Sequence, residues 1–306
     1  MTWIRRKPFL WFILPGFVLY SLFSVYPILS AVQISLNKWD GIGAKTFVGF
    51  DNYIELFSNP ELFDQLANAL THSATIFALN AFVVLPAQLY LAYLLHGKIR
   101  GHRFFQAMIF SPQFIATPVI AFMGALVFDG NIGVFNKLLE TVGLGEWTRP
   151  WMGIPELGIY IVWALVAWSG IGVGMIFFLG AMKMISAEII EAALLDGASY
   201  WGRFFRIILP QIKTTILNML ILTYIFAMTL FDFSFILGGA AGGINRSVDV
   251  MALFFYRISF GDSSSVGGSS NVNAMGMGTT IACVMFVIVF AVALVQVFFV
   301  YRRSED

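Results

Sequence analysis

This sequence is short of charge: 11% of its 306 residues are Asp, Glu, Lys or Arg, while 59% are hydrophobic. Ordinary soluble domains carry roughly a quarter charged residues. With a mean hydropathy of +0.82, most of the surface must be solvated by lipid rather than water. The few charges almost cancel, at a net +1, which removes the electrostatic case for nucleic acid as a partner. Cysteine is reduced to Cys283, so an internal disulfide framework and a cysteine metal cluster are both excluded. The three histidines, His72, His96 and His102, form no ligand pattern with acids or Cys283, and no metal is expected. A glycine-rich loop ending in Gly-Lys-Ser or Gly-Lys-Thr is also missing, so the chain supplies no Walker-type ATP site. No catalytic residue and no bound cofactor is expected of it, and energy for any transport must come from a gradient or from another subunit.

What the sequence does have is long apolar runs. Crossing about 30 Å of hydrocarbon takes roughly 20 helical residues. Six segments meet that length, at about 9–34, 70–95, 104–128, 157–182, 212–237 and 274–300. The expected fold class is therefore an all-α integral membrane protein of six transmembrane helices, with residues 1–306 as one membrane domain. The first run follows Arg5, Arg6 and Lys7 and reads as an uncleaved span, with Pro15 and Pro27 either bending it or placing its true ends nearer Gly16 and Ala31. Pro112-Gln113 and Pro118 break the third run in its middle. Asn59 and Pro60 predict a short surface helix from Pro60 toward Leu66. The Gly- and Ser-rich insert 238–273 has its ordered part at Val248–Phe260.

Charge orients the layout. Twelve of the eighteen basic residues crowd against span ends on one side: Arg5, Arg6, Lys7, Lys98, Arg100, Arg103, Lys183, Arg203, Arg206, Lys213, Arg302 and Arg303. The other six, Lys38, Lys45, Lys137, Arg149, Arg246 and Arg257, are spread over three longer loops. The positive-inside rule then places both termini in the cytoplasm.

The most informative stretch runs from Lys183 to Pro210. Ser186 can cap a helix with Glu188 in its first turn, where a carboxylate suits the positive helix end. Gly197 offers a turn, and Ser199 can cap a second short helix carrying Arg203 and Arg206 three apart on one side. Pro210 interrupts the pattern before the next apolar run. The wording Glu191-Ala-Ala-Leu-Leu-Asp-Gly-Ala198, followed by an aromatic and basic helix ending at Leu209-Pro210, resembles the "EAA" loop of binding-protein-dependent ABC importer permeases of the maltose and glycerol-3-phosphate type. Glu191, Ala192, Ala193, Asp196, Gly197 and Pro210 fall on the motif positions, and the likeness covers nearly the whole chain. Two stretches depart from the family. Met275-Gly-Met-Gly-Thr-Thr280 replaces its small-residue Gly-x-Ala-Ser-Ala pattern, and Leu237 to Gly243 lacks its Thr-Gly-Gly-Pro wording.

The resemblance implies a type I ABC importer permease fold in a bacterial cytoplasmic (inner) membrane, with residues 183–211 as a cytoplasmic coupling loop. Glu191, Ala192, Ala193, Asp196 and Gly197, with Arg203 and Arg206 as lesser contacts, would seat on an ATPase. The implied partners are two ATPase subunits using ATP and Mg, a second and related but different permease, and an extracytoplasmic binding protein delivering a carbohydrate or polyol. A sugar offers hydroxyls and apolar ring faces. The polar and aromatic residues of the spans are therefore its candidate path: Asn80, Gln88, Gln113, Trp168, Ser169, Asn218, Thr223, Tyr224, Thr229 and Asp232. Helix-to-helix hydrogen bonding is the bland alternative for each of them. At the level of the whole chain the alternative is a gradient-driven secondary transporter of a small polar solute, which would need no ATPase.

Overall fold

A computed structural model describes residues 9–97, 99–261 and 273–302. Arg5, Arg6, Lys7, Lys98, Arg303, the charged tail Glu305 and Asp306, and the Gly- and Ser-rich residues 262–272 lie outside the described residues. The described helices are α1 (Phe12–Ser35), α2 (Asp51–Ser58), α3 (Pro60–His96), α4 (His102–Phe114), α5 (Thr117–Val127), α6 (Val134–Thr141), α7 (Pro155–Lys183), α8 (Ala187–Leu195), α9 (200–211), α10 (Lys213–Gly238), α11 (Met251–Phe260) and α12 (Ala274–Arg302). Two-residue strands β1 (Asn37–Lys38) and β2 (Thr46–Phe47) pair antiparallel, a small exception to the all-α expectation. Among the described residues five helices are long and apolar enough to cross a membrane, and α4 with α5 makes a sixth if that pair, bent by 93°, counts as one span.

Proline dictates where these helices deform. Wide π turns occupy Ser21–Val25, Asn80–Val84 and Phe204–Ile208. Each ends two residues before a proline: Pro27, Pro86 and Pro210. A proline ring donates no hydrogen bond and collides with the carbonyl four residues back, and widening the preceding turn moves that carbonyl aside. The helix therefore passes Pro210 and ends at Gln211, where the sequence reading had it interrupted. A second correction concerns α3. Asn59 Oδ1 does accept the Glu61 and Leu62 N–H groups, at 3.0 and 3.4 Å. The helix does not stop near Leu66, however, because no Gly or Pro follows until Pro86 and Gln65, Leu66, Ala69 and Ser73 form a continuous buried stripe.

The chain divides into two compact units, one from the described parts of residues 1–64 and 255–287, the other from 65–254 and 288–306. In the first, side-chain amides tie the residues after α1 to the start of α12. Asn273 accepts the Trp39 N–H at 3.1 Å and donates to Asn52 Oδ1 at 2.7 Å, while Thr280 Oγ1 donates to the Ser35 carbonyl at 3.3 Å. In the second, Leu85, Leu89, Ala92 and Tyr93 of α3 pack with Met175, Phe178, Leu179 and Met182 of α7, joined by Phe204, Ile208 and Ile212. Glycine permits the closest approach. A Cβ on Gly172 would lie 2.6 Å from the Ile109 carbonyl oxygen and 2.7 Å from Phe110 Cα, and one on Gly174 would overlap the Gln88 amide.

Candidate functional site: a cavity at two helix breaks and a docking loop

Within the second unit, a cavity of about 690 Å³ opens where regular helix fails. Ser111–Phe114 tightens into a 3-10 turn, Ile115 and Ala116 are extended, and α5 restarts at Thr117 with Pro118 in its first turn. Pro118 explains the restart, because the residue before a proline avoids helical angles. Across the cavity α10 is interrupted at Leu230 and Phe231, between Lys213–Thr229 and Asp232–Gly238. Both interruptions line the cavity, and so do Asn80 and Val84 of the π turn in α3. Irregular backbone at membrane depth persists where it is buried in protein or lines a water-filled cavity, since lipid could not satisfy the freed peptide groups.

Seven of the ten predicted path residues meet here: Asn80, Gln88, Gln113, Ser169, Thr223, Thr229 and Asp232. The hydroxyl donors and one N–H each of Asn80 and Gln88 are engaged by backbone carbonyls. Asn80 Nδ2 donates to the Ile76 carbonyl at 2.8 Å, Gln88 Nε2 to Gly170 at 3.2 Å, and the Ser169, Thr223 and Thr229 hydroxyls to carbonyls three or four residues back. The lining therefore mixes hydroxyl and amide groups that can accept a hydrogen bond with amide N–H groups that can donate one. Asp232 adds a carboxylate, no Lys, Arg or His is among the lining residues, and Phe114, Phe177, Phe226, Phe231 and Phe233 supply apolar walls.

Three predicted residues are placed elsewhere. Trp168 and Asn218 are exposed on their helices and do not line the cavity. Tyr224 is buried, donating to the Ile288 carbonyl at 3.3 Å and packing edge-on with Phe77. Sequence reasoning missed Thr117 and the whole contribution of the backbone at 230–232. No Gly or Pro marks that second break; the polar pair Thr229 and Asp232 in an apolar run was its only trace.

The segment after α7 is built as its caps require. Ser186 Oγ accepts the Glu188 N–H at 3.3 Å, and Ser199 Oγ accepts the Gly202 N–H at 3.1 Å. Between them α8 closes in a Schellman turn, with Ala198 N–H bonded to Ala193 O at 2.9 Å and Gly197 N–H to Leu194 O at 3.1 Å. That closure puts Gly197 at φ +75°, with nothing within 4 Å of an added Cβ. The position favours glycine through backbone angle rather than space. Ala193 is buried, whereas Glu191, Ala192, Asp196 and Gly197 are exposed, beside Leu194 and a Leu195 that is 90% exposed.

Aromatic rings fasten α9 above this loop. Tyr93 donates to the Tyr200 carbonyl at 2.8 Å and stacks on Phe204, and Tyr90 stacks on Trp201 at 5.7 Å between centroids. Burial raises the Tyr200 hydroxyl above its ordinary pKa, helped by Tyr90 and opposed by the Arg203 charge. Arg203 is half-buried and Arg206 exposed. One face of the loop is packed on the bundle core, and the other leaves small, acidic and apolar groups exposed.

Membrane-length helices, a phenylalanine-walled cavity with polar side chains at helix breaks and an anchored loop are the features of a membrane transport permease. The chain belongs to the family described as binding-protein-dependent transport system inner membrane component, whose sequence profile matches residues 86–305. It is thus a permease-type subunit of an ABC transport system, a class without an ATPase activity of its own. It is 30% identical over 298 residues to the probable ABC transporter permease protein YurN of Bacillus subtilis (strain 168), covering 96% of each chain. It is 27% identical over 285 residues to the trehalose/maltose transport system permease protein MalF of Thermococcus litoralis, covering 92% of this chain and 90% of that one. Its fold matches a chain in the crystal structure of a bacterial ABC transporter involved in the import of the acidic polysaccharide alginate. There the TM-score is 0.77, at 22% identity and 96% coverage of both chains.

Proposed function

We propose that this permease moves a carbohydrate or related polyol, handed over by an extracytoplasmic binding protein, through the cavity at the two helix breaks. The observation that carries the reading is the lining. The amide groups of Asn80 and Gln88, the hydroxyls of Ser169, Thr223 and Thr229 and the Asp232 carboxylate belong to the lining of a cavity walled by phenylalanines. Sugar hydroxyls form hydrogen bonds with such groups, and sugar ring faces are apolar surfaces that phenyl rings cover. The trehalose/maltose name of the Thermococcus litoralis relative points the same way.

Drive enters through residues 183–211. Two ATPase subunits closing on ATP and Mg push on the exposed Glu191, Ala192, Asp196 and Gly197, with Ala193 buried beneath them and Arg203 and Arg206 as flanking charges. A second, related permease completes the pathway. Both termini then lie in the cytoplasm of an inner-membrane protein. The aromatic anchor between α3 and α9 passes that displacement directly to α3, whose π turn borders the cavity. Transduction follows from the different stabilities of two bundle arrangements.

The test is ATP hydrolysis by the purified assembly in nanodiscs, with binding protein added together with maltose, lactose or glycerol. Hydrolysis is expected to rise with one loaded binding protein. In Gly197→Val the rise should disappear while membrane insertion is retained, since a β-branched residue at φ +75° costs on the order of 1–2 kcal/mol in that turn. Uptake by this chain with an ion gradient and no ATPase would refute the reading. So would full stimulation in the Gly197→Val assembly.

A further inference from the structure

The first unit holds a helix to which the proposed route assigns no part. α2 carries three distinct faces. Asn52 and Leu56 are buried, with Tyr53 half-buried beside them. Asp51, Glu55 and Ser58 form an exposed polar face. Between these, Phe50, Ile54 and Phe57 fall at helical spacing of four and three residues, and they are 71%, 61% and 53% exposed. Phe47, on the strand leading in, is also exposed. Helices that bury one face in protein usually give water the remainder. This one divides the remainder into an apolar stripe and a charged stripe.

Hydrogen bonds fix its depth. Asn52 Nδ2 donates to the carbonyls of Ser35 and Asn37, at 2.8 and 3.0 Å, and the Tyr53 and Ser35 hydroxyls are 2.8 Å apart. The Val48 and Gly49 N–H groups bond the Leu36 carbonyl at 3.0 and 3.1 Å. Ser35 is the last residue of α1, and between Lys7 and Lys38 the sequence has no charged residue at all. α2 is therefore pinned within a residue or two of the end of a membrane-length apolar run. Trp39, with the Lys45 ammonium 4.4 Å from its ring centroid, sits at the same place in the chain. An amphipathic aromatic next to a lysine is the usual furniture of the headgroup boundary.

We infer that α2 is an interfacial helix lying in the membrane plane, with Phe50, Ile54 and Phe57 embedded in lipid. Lipid is the occupant because the stripe is held by hydrogen bonds at the end of α1, whose membrane-length window has none of its residues buried. A helix of this kind sinks its apolar face about 5–10 Å into the headgroup and acyl boundary. Asp51 and Glu55 then point to water, and the helix fixes the depth of the first span and of the start of α12, to which Asn52 is bonded through Asn273.

Nitroxide labels on single cysteines at positions 50 to 58, in a Cys283→Ala background, test this in the assembled importer in nanodiscs. Collision with oxygen and with a water-soluble nickel chelate is measured at each site. Labels at 54 and 57 should favour oxygen and those at 51, 55 and 58 nickel, a reversal of the ratio within one turn. Nickel access at 54 and 57 equal to that at 51 and 55 would overturn the inference. Protection from both reagents at 54 and 57 would overturn it as well, by showing protein over the stripe.

Discussion

The helices α1 and α7 are both long and apolar, yet they differ in what surrounds them. No residue of α1's most apolar window is buried, against 39% of that of α7, and α12, the most apolar of all, stands at 6%. Hydropathy thus reports the solvent of a helix and says nothing of its neighbours. Packing follows small and polar residues instead. α7 carries Gly158, Gly172 and Gly174 against other chain segments, and α3 contributes Gln88, whereas a Cβ on Gly16 of α1 would meet nothing within 4 Å. The apolar side chains of α1 find no cover within this chain, whereas those of α7 are packed against it.

Three pairs of substitutions sharpen that contrast, read as thermal or denaturant stability of the purified assembly in nanodiscs. The largest effect belongs to Phe178→Ala, because Phe178 is fully buried and removing such a ring costs about 3–5 kcal/mol. Phe12→Ala, at an 86% exposed position, should change stability little, since lipid solvates that site both before and after the helices separate. Equal losses in the two variants would erase the distinction. Next comes Gly172→Val, which forces a side chain onto the backbone of Ile109 and Phe110 at a cost of about 1–3 kcal/mol. Gly16→Val should match wild type, and a melting temperature lowered as far as in Gly172→Val would show α1 to be packed after all. Smallest is Tyr93→Phe, which removes the hydrogen bond to the Tyr200 carbonyl and about 1 kcal/mol. Tyr20→Phe, on an exposed ring, is the silent partner of that pair.

Local chemistry was the legible part. The all-helical, multi-pass character followed from run length and missing charge. The caps at Asn59, Ser186 and Ser199 and the turn at Gly197 followed from which side chains can accept an orphan N–H or adopt positive φ. Prolines told where helices deform but not how. Nothing in the sequence distinguished a stopped helix from a widened turn at Pro210, because that choice depends on whether Phe204 and Ile208 find a core to fill. The break at Leu230 and Phe231 was less visible still. Its residues are apolar, and only a cavity able to receive the freed carbonyls makes it tolerable.

Residue types by themselves settled the solvent and the local shape of this protein: lipid-length helices, their caps, and the small-residue loop after α7. Each of these is decided by interactions within a few residues or by the cost of burying charge. Only the tertiary structure decided that Asn80, Gln113 and Asp232 share one cavity while Trp168 and Asn218 turn away. Those residues are far apart in the chain, and what brings them together is the placement of two helix breaks and a π turn, which packing selects and hydropathy cannot see.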